Sequence, residues 1–161
     1  MRTAAMLGAA LGSCLLAATV PCAETAEAGA TRHVSHATEL LLAEHATESQ
    51  LRQGFLHLLD ALPQLAPQAG WLEKAAEARG RVGRGLLLEP RTVALLNECY
   101  RETHGGQDFR MPPSVRTIAD AREHIRLQLA SVPGLVTAGD GAEAAGRLLE
   151  AAAAIVTPMK Q

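Results

Sequence analysis

HATELLLAEHATE, residues 36–48, spells the same four letters twice, nine positions apart. Whether the string lies inside one helix decides how the first third of the chain folds. Ser35 stands just before it as an N-cap, and Leu51, Phe55, Leu58, Leu59 and Leu62 follow as a stripe at three- and four-residue spacing, with Pro63 as the stop. The spacing predicts one helix from about Ser35 to Leu62.

On such a helix successive residues turn by about 100°, so nine positions put His36 on the face opposite His45, roughly 13 Å along the axis. The two copies cannot share one metal ion. Within the second copy, His45 and Glu48 are three apart and Glu44 and Glu48 four apart, so one face offers an imidazole and carboxylates to a bundle metal site. Extending the Leu51–Phe55–Leu58 stripe backward carries it through Glu48 and Glu44 or His45. Polar residues in a core stripe mark either a buried site or a helix end that has left its bundle. Glu44, His45 and Glu48 are therefore the first candidate ligands of a metal ion or cofactor. His33 and His36, three apart in RHVSH, are a separate candidate for zinc or copper, although two ligands alone bind weakly.

Outward from this stretch the punctuation is regular. ETAEAGATRHV, residues 24–34, has no sustained period and reads as a flexible lead-in. After the loop PQLAPQAG, GWLEKAAEAR reads as helix, with Trp71, Ala75 and Ala78 on one side. GRVGRG, from Gly80 to Gly85, then either breaks the helix or packs closely on a neighbour, because each glycine costs up to about 1 kcal/mol relative to alanine. Pro90 fits the first turn of a helix that continues to Gly105-Gly106. TIAD, residues 117–120, has the spacing of a capping box and opens another helix, which Pro133 and Gly134 kink or end. Asp140 and Glu143 start the last helix, and Pro158 closes it. No alternating strand pattern occurs. The expected fold is all-α, an antiparallel up-down-up-down four-helix bundle formed by one domain over residues 35–161, with the second helical region broken at Gly80–Gly85. Phe55, Trp71, Tyr100 and Phe109 are the only aromatic residues, so the core is expected to be leucine and alanine.

The start of the chain speaks to compartment. Arg2 is the only charge before Glu24, and MLGAALGSCLLAATV between them has the length of a signal-peptide core. Residues 1–23 read as a signal peptide, cleaved after Ala23 or, as a second choice, Ala28, for delivery to a periplasmic or extracellular space. Lipidation at Cys14 or Cys22 fits poorly, because LLAATVPC is apolar where a tether is polar and Pro21 precedes Cys22. Cleavage after Ala23 leaves 138 residues with 14 basic and 17 acidic side chains, a net charge of −3. That balance argues against nucleic-acid binding, which needs a clustered cationic face. No membrane span is expected in the mature chain. Cys99 is then the sole cysteine, so no intramolecular disulfide forms, and a buried apolar role is expected for it.

Catalytic and cofactor motifs are incomplete. No Glu-x-x-His occurs, so the diiron pattern is absent, and CYRETH lacks the composition and spacing of covalent haem attachment. Non-covalent haem would need an axial histidine or methionine, with Met111 and Met159 available. Glu98 with Glu102, and Asp120 with His124, are four apart and also read as solvated faces beside Arg122 and Arg126. GRVGRG lacks the Gly-Lys-Ser/Thr ending of a phosphate loop, and Ser35, Ser49, Ser114 and Ser131 sit in no nucleophile elbow. Two functions follow as expectations. One is a non-enzymatic accessory module that docks an envelope or extracellular protein partner through an apolar groove. The other is a module that binds a metal ion or haem through Glu44, His45 and Glu48.

Overall fold

A computed structural model describes residues 24–158; the expected signal peptide, residues 1–23, and Met159 lie outside the described residues. The fold is all-helical, and no strand occurs among the described residues. Six helices follow in order: α1 Ala26–Leu41, α2 Glu48–Leu65, α3 Leu72–Gly83, α4 Pro90–Thr103, α5 Ile118–Thr137 and α6 Gly141–Val156. No helix among the described residues is long and apolar enough to cross a membrane.

The repeated string falls across two helices rather than inside one, which corrects the expected helix from Ser35 to Leu62. The first HATE belongs to α1, where Thr38 Oγ1 donates to Val34 O at 2.8 Å and simply follows the helix. The second HATE ends the connection, and Thr47 is the N-cap of α2. Its hydroxyl accepts from Gln50 N at 3.2 Å while Gln50 Oε1 accepts from Thr47 N at 2.9 Å, a reciprocal pair that satisfies two orphan donors. Ser35 is not a cap but an exposed residue within α1. The cap of α1 is Thr25, whose hydroxyl accepts from Ala28 N at 3.2 Å, so most of the segment read as a lead-in is helical. Its seam is Ala30, Val34, Ala37 and Leu41, all buried. Alanine carries half of that period, which hides it among the other small residues of the segment.

Residues 42–47 fold α2 back onto α1, the most extensive helix pairing among the described residues. The helices meet closely at Gly54, where a Cβ would lie 2.8 Å from Leu41 Cγ and 3.1 Å from Leu40 Cβ. From α5, Arg122 Nη2 donates to Leu42 O at 2.6 Å and Ala43 O at 3.2 Å, supplying donors to carbonyls that α1 leaves open at its end.

Pro63 does not stop its helix as expected, and of the two expectations for Pro133, a kink or an end, the end does not occur. Pro63 lies inside α2, and Pro133 lies inside α5. Both are exposed and close to a C-terminus, so the ring meets solvent and few turns beyond it need to continue. Gly80 and Gly83 are also helical, in α3, with open space where a Cβ would go, so no close packing requires them. The break expected within Gly80–Gly85 falls at its end, where α3 stops at Gly83 and the chain turns at Gly85. Its φ is +81°, Gly85 N donates to Val82 O at 2.9 Å and Leu86 N to Arg81 O at 3.0 Å, the paired bonds of a Schellman end. Thr92, the one fully buried polar side chain among the described residues, seals this turn: its hydroxyl donates to Leu86 O at 2.7 Å and accepts from Arg81 Nε at 3.0 Å.

α6 lies at the centre, packed on α5, α4 and α2. Ala144, Ala145, Ala151, Ala152, Ala153 and Ala154 are buried along it beside Leu148 and Leu149. Small residues let the neighbouring helices approach, as the scarcity of aromatic rings requires. The approach is closest at the start of α6, where a Cβ on Gly141 would collide with the backbone carbonyl of Leu65. Asp140 caps this helix, its carboxylate accepting from Glu143 N at 3.1 Å, as the sequence indicates.

Candidate functional site

The residues first singled out sit on the surface of the α1–α2 connection. Glu44 and His45 are exposed in residues 42–47, and Glu48 is the first residue of α2. The common helix face that would align them is absent, because the chain between Leu41 and Glu48 is not helical. Glu98 and Glu102 both face Lys74 of α3, at 3.3 and 2.6 Å from its Nζ, and form an ion-pair cluster. Asp120 is occupied as a cap: hydrogen bonds from the Arg116 and Thr117 backbone and the Thr117 hydroxyl hold its carboxyl below the usual range. Cys99 is buried at the α3–α4 contact with Sγ 3.6 Å from Trp71 O, and burial pushes its thiol up to about 12, so it is inert at neutral pH. Met111, weighed as a haem ligand, lines with Phe109, Val115 and two arginines an open cleft of about 740 Å³ whose lining contains no histidine.

Histidines do come together in two places. At the first, His33 and His36 on α1 meet His57 on α2. His33 Nδ1 and His57 Nδ1 are 2.9 Å apart, and the His57 ring centre lies 5.2 Å from that of His33 and 5.1 Å from that of His36. The 2.9 Å separation is that of a hydrogen bond between the two rings, one nitrogen donating and the other accepting, and it is also close to the spacing of two ligands on one ion. Nitrogens bound about 2.05 Å from one metal ion stand about 2.9 Å apart at a right angle and about 3.3 Å apart at a tetrahedral one, with ring centres about 5 Å apart. Burial, then the charges of His33 and His36, hold the His57 imidazole below its ordinary pKa against the opposing pull of Asp60. The neutral ring, which is the ligating form, is favoured there. His33 and His57 are half-buried and His36 is exposed, so the cluster opens to solvent.

At the second place, three elements converge. His104 is the C-cap of α4, His124 lies on α5 and Glu150 on α6. Glu150 Oε1 is 3.3 Å from His124 Nε2, and Glu150 Oε2 is 3.8 Å from His104 Nε2. The Tyr100 ring stacks on His104 with centres 3.8 Å apart and planes 11° apart. Burial, then the charge of Glu150, raises the Tyr100 hydroxyl above its ordinary pKa. Among the described residues, no group of three or more His, Cys, Asp or Glu side chains is placed so that it could hold a metal ion.

His33 and His36 were visible as a three-residue spacing. His57 was not, because it lies 24 positions from His33 and reaches it only through the turn at Thr47. Of the second cluster His124 was singled out, but beside Asp120; Glu150 was missed, although a glutamate on an alanine- and leucine-rich helix was an available signal. Comparison of the chain with models of known families, with curated proteins and with solved structures finds no match.

Proposed function

We propose that this protein is a non-enzymatic, transition-metal-binding helical module that works outside the cytoplasm, in the periplasm or extracellular space, after loss of residues 1–23. The observation that carries this reading is the 2.9 Å approach of His33 Nδ1 and His57 Nδ1 with His36 alongside. His33 and His57 would supply two imidazoles, and solvent or a partner's side chain would complete the coordination of Zn²⁺ or Cu²⁺. His36, exposed at the rim, would have to turn toward the His33–His57 pair to act as a third ligand. The helices act as an elaborated antiparallel bundle, with the α1–α2 pair carrying the metal and α6 carrying the core.

The test is metal binding by protein purified without affinity-tag histidines, and His57→Ala is the deciding variant. Loss of one bound ion in His57→Ala, with His45→Ala unchanged, supports the reading. Unchanged binding in His57→Ala overturns it. Loss in His45→Ala alone would move the ion to Glu44, His45 and Glu48. Sequencing the N-terminus of protein recovered from the producing cell checks the compartment, with Glu24 as the expected first residue.

Docking of an envelope or extracellular protein has one observation in its favour. Leu42, Ile118 and Ala119 line an open cleft of about 480 Å³ bordered by Arg122, Glu123 and Arg126, and Ile118 is 75% exposed. Concentration-dependent association that Ile118→Asp abolishes would support a docking role.

A further inference from the structure

We infer that the open cleft between the α4–α5 connection and the end of α6 binds a small anionic amphiphile, a carboxylate carried on an unbranched apolar chain.

The connection over residues 104–117 is the longest between two helices among the described residues, and loops of more than about a dozen residues without secondary structure of their own are commonly functional. This one is held in shape. Arg101 pairs with Asp108 at 3.3 Å, the Phe109 ring meets Tyr100 edge-on with centres 5.3 Å apart, and Val115 N donates to Pro112 O at 2.9 Å. Pro112 and Pro113 have fixed φ and no N–H to satisfy. The segment stands as a preformed wall. With Thr157 and Pro158 it borders a cleft of about 740 Å³, within the range of small-molecule sites.

Charge decides what enters. Asp108 is the only acidic residue of the connection, and Arg101 occupies it. Asp120, four positions after Arg116, accepts from the backbone N–H groups of Arg116 and Thr117 at 2.9 and 2.8 Å. Most basic side chains among the described residues pair with a carboxylate. Arg110 and Arg116 pair with none among the described residues, and both line the cleft, whose lining contains no acidic residue. In a chain of net charge −2, two unneutralised guanidiniums beside one cleft single out an anion, and the guanidinium fork matches a carboxylate. Exposed charges alone bind weakly in water. The rest of the wall supplies the other half of the recognition: Phe109 and Met111, which pack against the core, stand with Val115 and the two prolines as an apolar surface for a chain. Each methylene that such a surface takes fully out of water adds about fourfold in affinity.

Decanoate is the probe, titrated by calorimetry into the full chain in the absence of detergent. Saturable binding of one decanoate per chain is expected, with decanol and acetate, which lack the charge and the chain in turn, at least tenfold weaker. Octanoate should bind several-fold more weakly than decanoate. The double variant Arg110→Gln/Arg116→Gln should lose at least tenfold in affinity, with circular dichroism showing its helices intact. Arg84→Gln, which removes an exposed arginine away from the cleft, should bind as the wild type does. Weaker decanoate binding by the wild type at high salt gives the same reading without any variant. Equal binding of decanol and decanoate overturns the inference, as does undiminished binding by the double variant or an equal loss in Arg84→Gln. Binding to phosphatidylglycerol vesicles with no binding of decanoate also overturns it, and would make the two arginines a membrane-facing patch. His57→Ala leaves this cleft untouched, so decanoate binding here and metal binding at α1–α2 are read independently.

Discussion

At the scale of single residues, strong effects belong to side chains that finish a backbone's hydrogen bonding. Arg122 does so across elements, its guanidinium donating to Leu42 O and Ala43 O where α1 has ended. Hydrogen bonds to a charged group contribute about 1.5–3 kcal/mol, so Arg122→Ala should lower unfolding free energy by about 2 kcal/mol in a urea titration. Gly80 is the opposite case. It is helical and exposed, and a Cβ there meets nothing, so Gly80→Ala should raise stability by up to about 1 kcal/mol. Cys99 adds a pH dependence whose sign is fixed by burial. Its folded thiol is raised to about 12 from 9.0, so between those values the unfolded chain binds fewer protons than the folded one. The Cys99 contribution is thus complete below pH 9 and lost as pH rises toward 12, and Cys99→Ala should flatten stability measured over that window.

Helices were legible where a periodic apolar stripe coincided with a strong cap, and illegible where one signal was missing. TIAD and Asp140 announced α5 and α6, and both caps form as their spacing implies. α1 and α2 merged because Thr47 reads as one more letter of a repeat, and because Ala30 and Ala37 make a faint stripe. The letters T-x-x-Q from Thr47 to Gln50 were the available clue, a glutamine version of the capping box. GRVGRG marked a real break, since α3 ends at Gly83, but of its three glycines only Gly85 needs its positive φ, while Gly80 and Gly83 are tolerated inside α3. If Thr47 is the element that separates α1 from α2, Thr47→Ala should cost about 1 kcal/mol and raise amide exchange in the first turn of α2 above that elsewhere. Uniform exchange across α2 would count against that role.

Over the whole molecule, packing around α6 decides both the shape and why the sites escaped a linear reading. His33 with His57, and Glu150 with His104 and His124, are neighbours only after helices pair, and helix pairing depends on which small residues meet. The leucine and alanine core follows directly from the near absence of aromatic residues, whereas its arrangement rests on alanines that look interchangeable in a sequence. They are not interchangeable in space. Ala152 is 1% exposed in the middle of α6, and Ala142 is exposed one residue after its start. Extra methyl groups in a filled interior force neighbours off their rotamers and cost about 1–3 kcal/mol, while the same change on a solvated helix surface costs little. Ala152→Leu should therefore lower the thermal midpoint by several degrees, and Ala142→Leu should leave it nearly unchanged. Equal tolerance of both substitutions would mean that α6 is not the packed centre through which the helices, and with them the two histidine clusters, are held in place.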